Sequence, residues 1–124
     1  MRSRSAAEMS SAADHGTVTA ETAVALPSLM LLLGIALAAI HAATTHLSCV
    51  DAARVGARAL ARGEEPDAVH TLIDQVAPPQ ARARISTDSR FARVRLSAPV
   101  PIAPGLPGPF EVHAEAATPV EESP

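Results

Sequence analysis

The sequence predicts an α+β protein with three parts. They are an N-terminal transmembrane helix that extends outside the membrane, a short second helix, and a small antiparallel three-stranded sheet. The helix is predicted by a stretch from Thr22 to Val50 that contains no Asp, Glu, Lys or Arg. A charge-free apolar run longer than ~18 residues is typical of a membrane span. The sheet is predicted by a change in the apolar period, which becomes two from Ala81 onward.

The first helix is long enough to cross a bilayer and continue into water. At ~1.5 Å per residue, the segment from Thr22 to Ala43 spans about 33 Å, against a hydrocarbon core of about 30 Å. Pro27 is expected in its first turns, where backbone N–H groups lack helical partners. The continuation is rich in Ala, has no Pro and meets a natural stop at Gly63. We therefore assign residues 17–62 to a transmembrane and extended N-terminal helix.

Arginines recur at every fourth position near the end of this helix, at Arg54, Arg58 and Arg62. One interpretation is a solvated face whose cations are favourably placed near the helix C-terminus. The other is a subunit contact to Asp51, or to Glu64 and Glu65, of a neighbouring molecule. A separate face carries apolar residues at helical spacing, namely Leu47, Val50, Ala53, Ala57 and Leu60.

A small α+β exterior domain is predicted over residues 63–117. Its helix should run from Pro66 to Ala77, because Pro66 suits the first helical position and Glu65 can cap it. Its apolar stripe consists of Ala68, Val69, Leu72, Ile73 and Val76. A domain of this size buries little core by itself, so we expect it to pack on its own long helix or on neighbouring subunits.

Three strands should follow, joined by a turn at 87–89 and a Pro-rich loop at 99–109. The second strand places Ala92, Val94, Leu96 and Ala98 on one face. Arginines of its other face would pair with Glu111 and Glu115 if the second and third strands are neighbours. The residues 118–124 are assigned to a flexible acidic tail.

Composition excludes several function classes. All ten basic residues are Arg and the formal net charge is −3, so no basic field suggests nucleic-acid binding. There is no Lys for a phosphate loop or a Schiff base, and no nucleophile elbow is present. The five His residues do not have the spacing of zinc ligands. We predict no enzymatic activity, no metal and no cofactor.

Cys49 is the single cysteine, so it cannot form an intrachain disulfide. Three interpretations remain open at this point. It is a small buried apolar residue near the membrane exit, the site of an intermolecular disulfide, or a site of lipidation.

The start of the apolar run carries the most informative pattern. Gly16 lies before the run, and Glu21 comes five residues after Gly16. A secretory signal peptide instead has its cleavage site after the apolar region. A carboxylate at the start of an apolar membrane helix costs free energy, and such residues are usually functional. The alternative is an interfacial acid that the helix dipole favours. The preceding residues, 1–15, are polar and are expected to be disordered.

This junction resembles the processing site of type IV prepilins. The strings GTVTAETAVALP and CVDAARVGARALARGEE look like those of the TadE-like minor pilins of Tad (Flp) pilus systems, and the resemblance covers residues 14 to about 121. It implies that residues 1–16 are a leader, which a prepilin peptidase removes by cutting between Gly16 and Thr17. It implies assembly roles for Glu21 and Pro27, with the new α-amino group of Thr17 pairing with Glu21 of a neighbouring subunit.

The resemblance implies a minor pilin or pilin-like assembly component whose partners are the peptidase, other pilins, pilus assembly proteins and the bacterial membrane. The C-terminal domain would lie outside the cytoplasmic membrane, on a single-pass anchor or within an extracellular pilus. Counting Arg2 and Arg4 against the three arginines after the span favours the opposite orientation. The resemblance takes precedence here. The alternatives are a secreted envelope protein cleaved near Ala42 and an uncleaved single-pass membrane protein.

Overall fold

The computed structural model describes residues 4–103 and 105–121, with residues 4–13 described by their backbone alone. It confirms the predicted α+β fold class. The chain divides into two compact units, of which the first ends at Leu37 and the second begins at Ala38. The elements are α1 (Arg4–Ala61), α2 (Pro66–Val76), β1 (Arg82–Thr87), β2 (Phe91–Ala103) and β3 (Leu106–Pro119).

The first unit consists of α1 up to Leu37. Every side chain described in it, from Asp14 onward, is exposed, and its large apolar residues are more than half exposed except for Leu37 at 48%. By length and composition, α1 contains a segment able to cross a membrane. The side chains described from Asp14 to Leu37 therefore form no buried core among themselves.

Helix α1 begins at Arg4, so the expected disorder before Gly16 is wrong for residues 4–15. This stretch contains Ala, Glu and Met, which favour helix, and has no Gly or Pro. Extending an existing helix also avoids the cost of nucleation. The first three residues of the expected tail lie outside the described residues.

Pro27 also differs from expectation, because it lies in the interior of α1 rather than in its first turns. Its missing N–H leaves the carbonyl of Ala23 without the usual helical donor. Membrane helices tolerate such a proline better than soluble ones, since neighbouring helices and hydroxyl side chains compensate.

The second unit forms its core between the end of α1, helix α2 and the sheet. Helix α1 contributes mainly small side chains, α2 contributes Val69 and Ile73, and β2 contributes its apolar face. The expected packing of the exterior domain on its own helix is therefore confirmed. The buried residues of α1 and β2 include Cys49, Ala52, Ala53, Ala57, Leu60, Ala92, Val94, Leu96 and Ala98.

Gly56 brings α2 close to α1. A Cβ atom at this position would lie 2.6 Å from Cδ1 and 2.7 Å from Cγ1 of Ile73, and 3.4 Å from Val94 Cγ2. Only glycine fits these distances without movement of Ile73, which is fully buried. The helix–helix contact thus depends on the absence of a side chain.

The two helices are separated by the predicted glycine stop. Gly63 has a φ of 82° and its N–H donates to the carbonyl of Leu60 at 3.0 Å, while Glu64 N–H donates to Ala59 at 3.2 Å. These bonds form a Schellman motif. Glu65 occupies the N-cap position of α2 as expected, but its side chain forms no capping hydrogen bond. Pro66 supplies the first helical residue.

The sheet has the order β1-β2-β3 with both pairs antiparallel. The Pro-rich segment predicted as a loop instead extends both β2 and β3, with Pro101 opposite Pro107. Pairing of β1 to β2 ends at Ser97. Beyond that residue β2 is an edge on one side, where a missing N–H costs no ladder bond. Register shifts on either side of Pro101 accommodate the remaining irregularity.

The first part of the predicted flexible tail is instead held by the fold. Strand β3 runs to Pro119, Val120 N–H donates to Arg90 O at 2.9 Å, and Glu121 N–H donates to Ala61 O at 3.2 Å. The flexible tail is therefore wrong for residues 118–121, and residues 122–124 lie outside the described part of the chain.

Candidate processing and assembly site

The predicted cleavage site lies within continuous helix. Gly16 is exposed, and a Cβ atom at this position would meet nothing within 4 Å. The Gly16–Thr17 peptide is thus open from the side, but it has helical geometry. A peptidase would have to open the helix locally, and a glycine lowers that cost because it weakens a helix interior by about 1 kcal/mol relative to Ala.

Glu21 lies on the same helical face as Thr17, one turn further along. Its side chain is exposed. Among the residues that the structure describes, no cation forms a salt bridge with it. Thr17 and Glu21 of the same chain are therefore neighbours on the helix surface.

Hydroxyl groups near this junction bond to their own helix. Thr19 Oγ1 donates to His15 O, Thr22 Oγ1 to Val18 O and Ser28 Oγ to Val24 O, each at 2.9 Å. Such bonds give the hydroxyl donors a partner within the helix, which they would otherwise lack in lipid. The Glu21 carboxylate lies among them as the charged side chain at the start of the apolar run.

The arginine strip, defined as Asp51, Arg54, Arg58 and Arg62, lies on the exposed side of α1. Arg62 donates to Glu64 of the same chain at 2.6 Å, and the two side chains are 54% and 34% exposed. A neighbouring acid would therefore compete with Glu64 for Arg62. Both of the sequence-based interpretations of the strip are compatible with this exposed position.

Cys49 lies in the core, with 0% of its surface exposed. Of the three interpretations, a small apolar core residue fits this position directly. In this fold, an intermolecular disulfide or a lipid attachment would require the core to open around the sulfur.

The sheet forms one of the two expected cross-strand pairs. Arg95 Nε donates to Glu115 Oε2 at 2.8 Å, whereas Glu111 lies opposite Pro99 and not opposite an arginine. The register between β2 and β3 is regular as far as Pro99, so Glu111, four residues before Glu115, lies four residues along β2 from Arg95 and has no arginine opposite it. Arg93 instead lies 3.7 Å from Asp88 and 5.9 Å from the centroid of the Phe91 ring.

Two structural residues were missed by the sequence reasoning. Gly56 could have been found from its place among the small residues Ala52, Ala53 and Ala57, which permit close helix packing. Asp88 accepts the backbone N–H groups of Arg90 and Phe91 through Oδ1, both at 2.8 Å. These bonds, led by that from Arg90, lower the pKa of Asp88 from its ordinary value of 3.8.

Two comparisons with known proteins give a match. A family model described as TadE-like protein matches residues 16–58. The chain is also similar to the apoptosis inhibitor Rv3655c of Mycobacterium tuberculosis, with 33% identity over 86 residues that cover 69% of this chain and 68% of the relative. No solved structure matches the chain. The family match begins at Gly16 and ends within the arginine strip.

Proposed function

The chain belongs to the TadE-like family, and we propose that it is a minor pilin or pilin-like assembly component that is made as a prepilin. Family membership supports a pilin-like component associated with a Tad pilus. Because TadE-like pilus proteins are structural, the proposed role of this chain is structural as well. Its long apolar helix makes it a membrane-anchored protein with a C-terminal domain. The proposal adds the processing step, the residues that act in assembly and the orientation in the membrane.

One observation carries the proposal: Gly16 and Glu21 directly precede a helical segment whose described large apolar side chains are about half exposed or more. Such a surface needs an apolar environment, which a bilayer supplies before assembly and neighbouring helices supply afterwards. Gly34, where an added Cβ would meet nothing within 4 Å, permits close approach of another helix.

In this proposal, cleavage after Gly16 creates the charge that assembly uses. The α-amino group of Thr17 becomes a cation at the start of the apolar helix, and Glu21 of a packed neighbour neutralises it. Desolvated charges require a counter-charge, so the pair favours helices packed in one register. The arginine strip supplies a second, more polar contact to the acids of a neighbour.

The experiment is to sequence the mature N-terminus after coexpression with the cognate prepilin peptidase. The chain should begin at Thr17. Gly16→Ala should be cut in part, whereas Gly16→Asp should block cutting, because a bulky charge prevents close approach to the scissile peptide. Gly34→Ala, at the other glycine of this unit, should be cut like the parent chain.

Two results would contradict the processing step. A mature protein that still begins at Met1 would favour an uncleaved anchor, and one that begins near Ala42 would favour a secreted envelope protein. Orientation is tested separately with a reporter fused after Pro124, which should be active outside the cytoplasmic membrane. Activity in the cytoplasm would mean that the arginine count predicts the topology correctly.

A further inference from the structure

The hairpin between β2 and β3 ends in an apolar, uncharged tip. We define this hairpin tip by its described residues, 99–103 and 105–110. No charged residue occurs in the sequence between Arg95 and Glu111. Three large apolar side chains of the tip are mostly exposed: Ile102 at 68%, Leu106 at 56% and Phe110 at 74%. The alternating burial of β2 holds as far as Val100 and is lost at Ile102.

The position of the tip along α1 follows from a hydrogen bond at one end of the sheet and from a shared groove at the other. At one end, Glu121 N–H donates to the carbonyl of Ala61, the last residue of α1. At the other end, Pro101, Leu106 and Pro107 line a groove together with Thr45. These two helix positions are about 24 Å apart at 1.5 Å per residue. Within the second unit, the hairpin therefore runs along α1 from Ala61 back to Thr45.

Thr45 lies two residues beyond the predicted end of the membrane span at Ala43. The preceding helical turns of the same unit, residues 38–43, belong to the charge-free run and are apolar apart from His41. Each polar headgroup layer is about 5–8 Å thick, because it makes up the difference between the hydrocarbon core and the full bilayer. When the helix is embedded, the tip therefore lies at the depth of the headgroups.

We propose that the hairpin tip is a second membrane contact, which places Ile102, Leu106 and Phe110 in the boundary between headgroups and acyl chains of the outer leaflet. The proposal rests on the membrane anchoring and outward orientation of the proposed function, and it is independent of cleavage at Gly16. A bilayer fits the tip better than a protein partner does. The surface presents no charge, and its prolines remove backbone N–H donors that would otherwise need partners in lipid.

The contact has a defined chemistry. Because the tip carries no Arg, insertion should rely on apolar area and should be insensitive to the fraction of anionic lipid. It would also restrain the second unit close to the bilayer, since the unit would then be held at two points.

Tryptophan fluorescence provides a direct test, since the chain contains no Trp and no Tyr. Phe110→Trp puts the single indole at the tip, and Phe91→Trp is the matched control at the opposite end of the sheet. Each full-length variant is reconstituted into phosphatidylcholine vesicles that contain lipids spin-labelled near the headgroup. Co-flotation with the vesicles first establishes that the helix is anchored.

The Phe110→Trp indole should lose most of its emission to the spin-labelled lipid and little to aqueous iodide. The Phe91→Trp indole should show the reverse, and replacing part of the phosphatidylcholine by phosphatidylglycerol should change neither result. Leu106→Trp is the substitute if Phe110→Trp does not fold.

Three results would overturn the proposal. Iodide could quench both indoles equally, which would place the tip in water. Neither quencher could reach the Phe110→Trp indole, which would mean that a protein surface covers the tip. If dilution into excess lipid then made the indole accessible to a quencher, the covering protein would be a second copy of this chain. The lipid could quench both indoles, which would mean that the whole domain lies on the membrane. Failure to co-float would contradict the membrane anchoring itself and is therefore distinguishable from failure of the tip contact.

Discussion

The two halves of helix α1 differ in the size and exposure of their apolar side chains. Before Leu37 its apolar residues are large and exposed, as Leu29 and Leu33 illustrate at 58% and 51%. After Ala38 its buried face consists mainly of small residues such as Ala52, Ala53 and Ala57, with little or no exposed surface. Large side chains suit a partner outside the chain, whether lipid or another helix. Small ones allow α2 and the sheet of the same chain to approach. Substitutions in the first half should therefore affect processing and assembly, and those on the buried face of the second half should affect folding.

The largest effect is expected for Glu21→Gln, which removes one charge of the proposed assembly pair. A buried ammonium that loses its counter-charge costs about 3–5 kcal/mol, whereas an exposed pair contributes about 1 kcal/mol or less. Assembly into pili should fall sharply while membrane insertion is unchanged. The measurement is crosslinking to pilus subunits and a count of pili at equal protein level. Unchanged assembly would mean that Glu21 is an interfacial acid at the start of the apolar run.

The core of the second unit should respond strongly to Ile73→Ala. Ile73 is fully buried, and truncating such a residue typically costs about 2–5 kcal/mol because a cavity remains. The matched variant is Ile35→Ala in the first unit, where the side chain is 58% exposed and the free energy of unfolding should change by less than about 0.5 kcal/mol. Denaturant unfolding in detergent measures both. Equal losses would contradict the division of the helix into two regions.

Two of the three glycines of α1, Gly34 and Gly56, provide a finer comparison. Ala at either position gains up to about 1 kcal/mol of helix propensity. At Gly56 the added methyl group collides with Ile73, and such overpacking costs about 1–3 kcal/mol, so a net loss of stability is expected. At Gly34 the space is open, and the free energy of unfolding should be unchanged or slightly higher. The double variant Gly56→Ala with Ile73→Val should recover part of the loss. Greater stability of Gly56→Ala alone would show that the contact with Ile73 is not tight.

The smallest effect concerns pH and the turn before β2. The pKa of Asp88 is lowered in the folded chain, so its contribution is present above the ordinary value of 3.8 and is lost as the pH falls through the lower folded value. Asp88→Asn should therefore reduce the change in unfolding midpoint between pH 5 and the acid range, where the midpoint of the parent chain falls. Thermal unfolding across that range checks this. Parallel curves for the two proteins would exclude a role for this carboxylate.

Local patterns in the sequence determined much of the fold. The charge-free run predicted the long helix, Gly63 its end and Pro66 the start of α2, since each acts within a turn or two of the backbone. The period of two predicted the buried face of β2. The junction of Gly16 and Glu21, read with its resemblance to prepilins, predicted the TadE-like family.

Tertiary structure decided what depends on contacts between distant residues. Sequence spacing does not reveal that Gly56 faces Ile73, because that contact depends on how α2 packs against α1. The prolines at 99 and 101 argued for a loop, yet β1 is short enough to leave this part of β2 with an open edge that accepts them. The register of β2 with β3, which is regular as far as Pro99, places Glu115 opposite Arg95 and Glu111 opposite Pro99. Helical and strand periods are local properties of the backbone, whereas register and packing are chosen among distant segments by the core that they bury together.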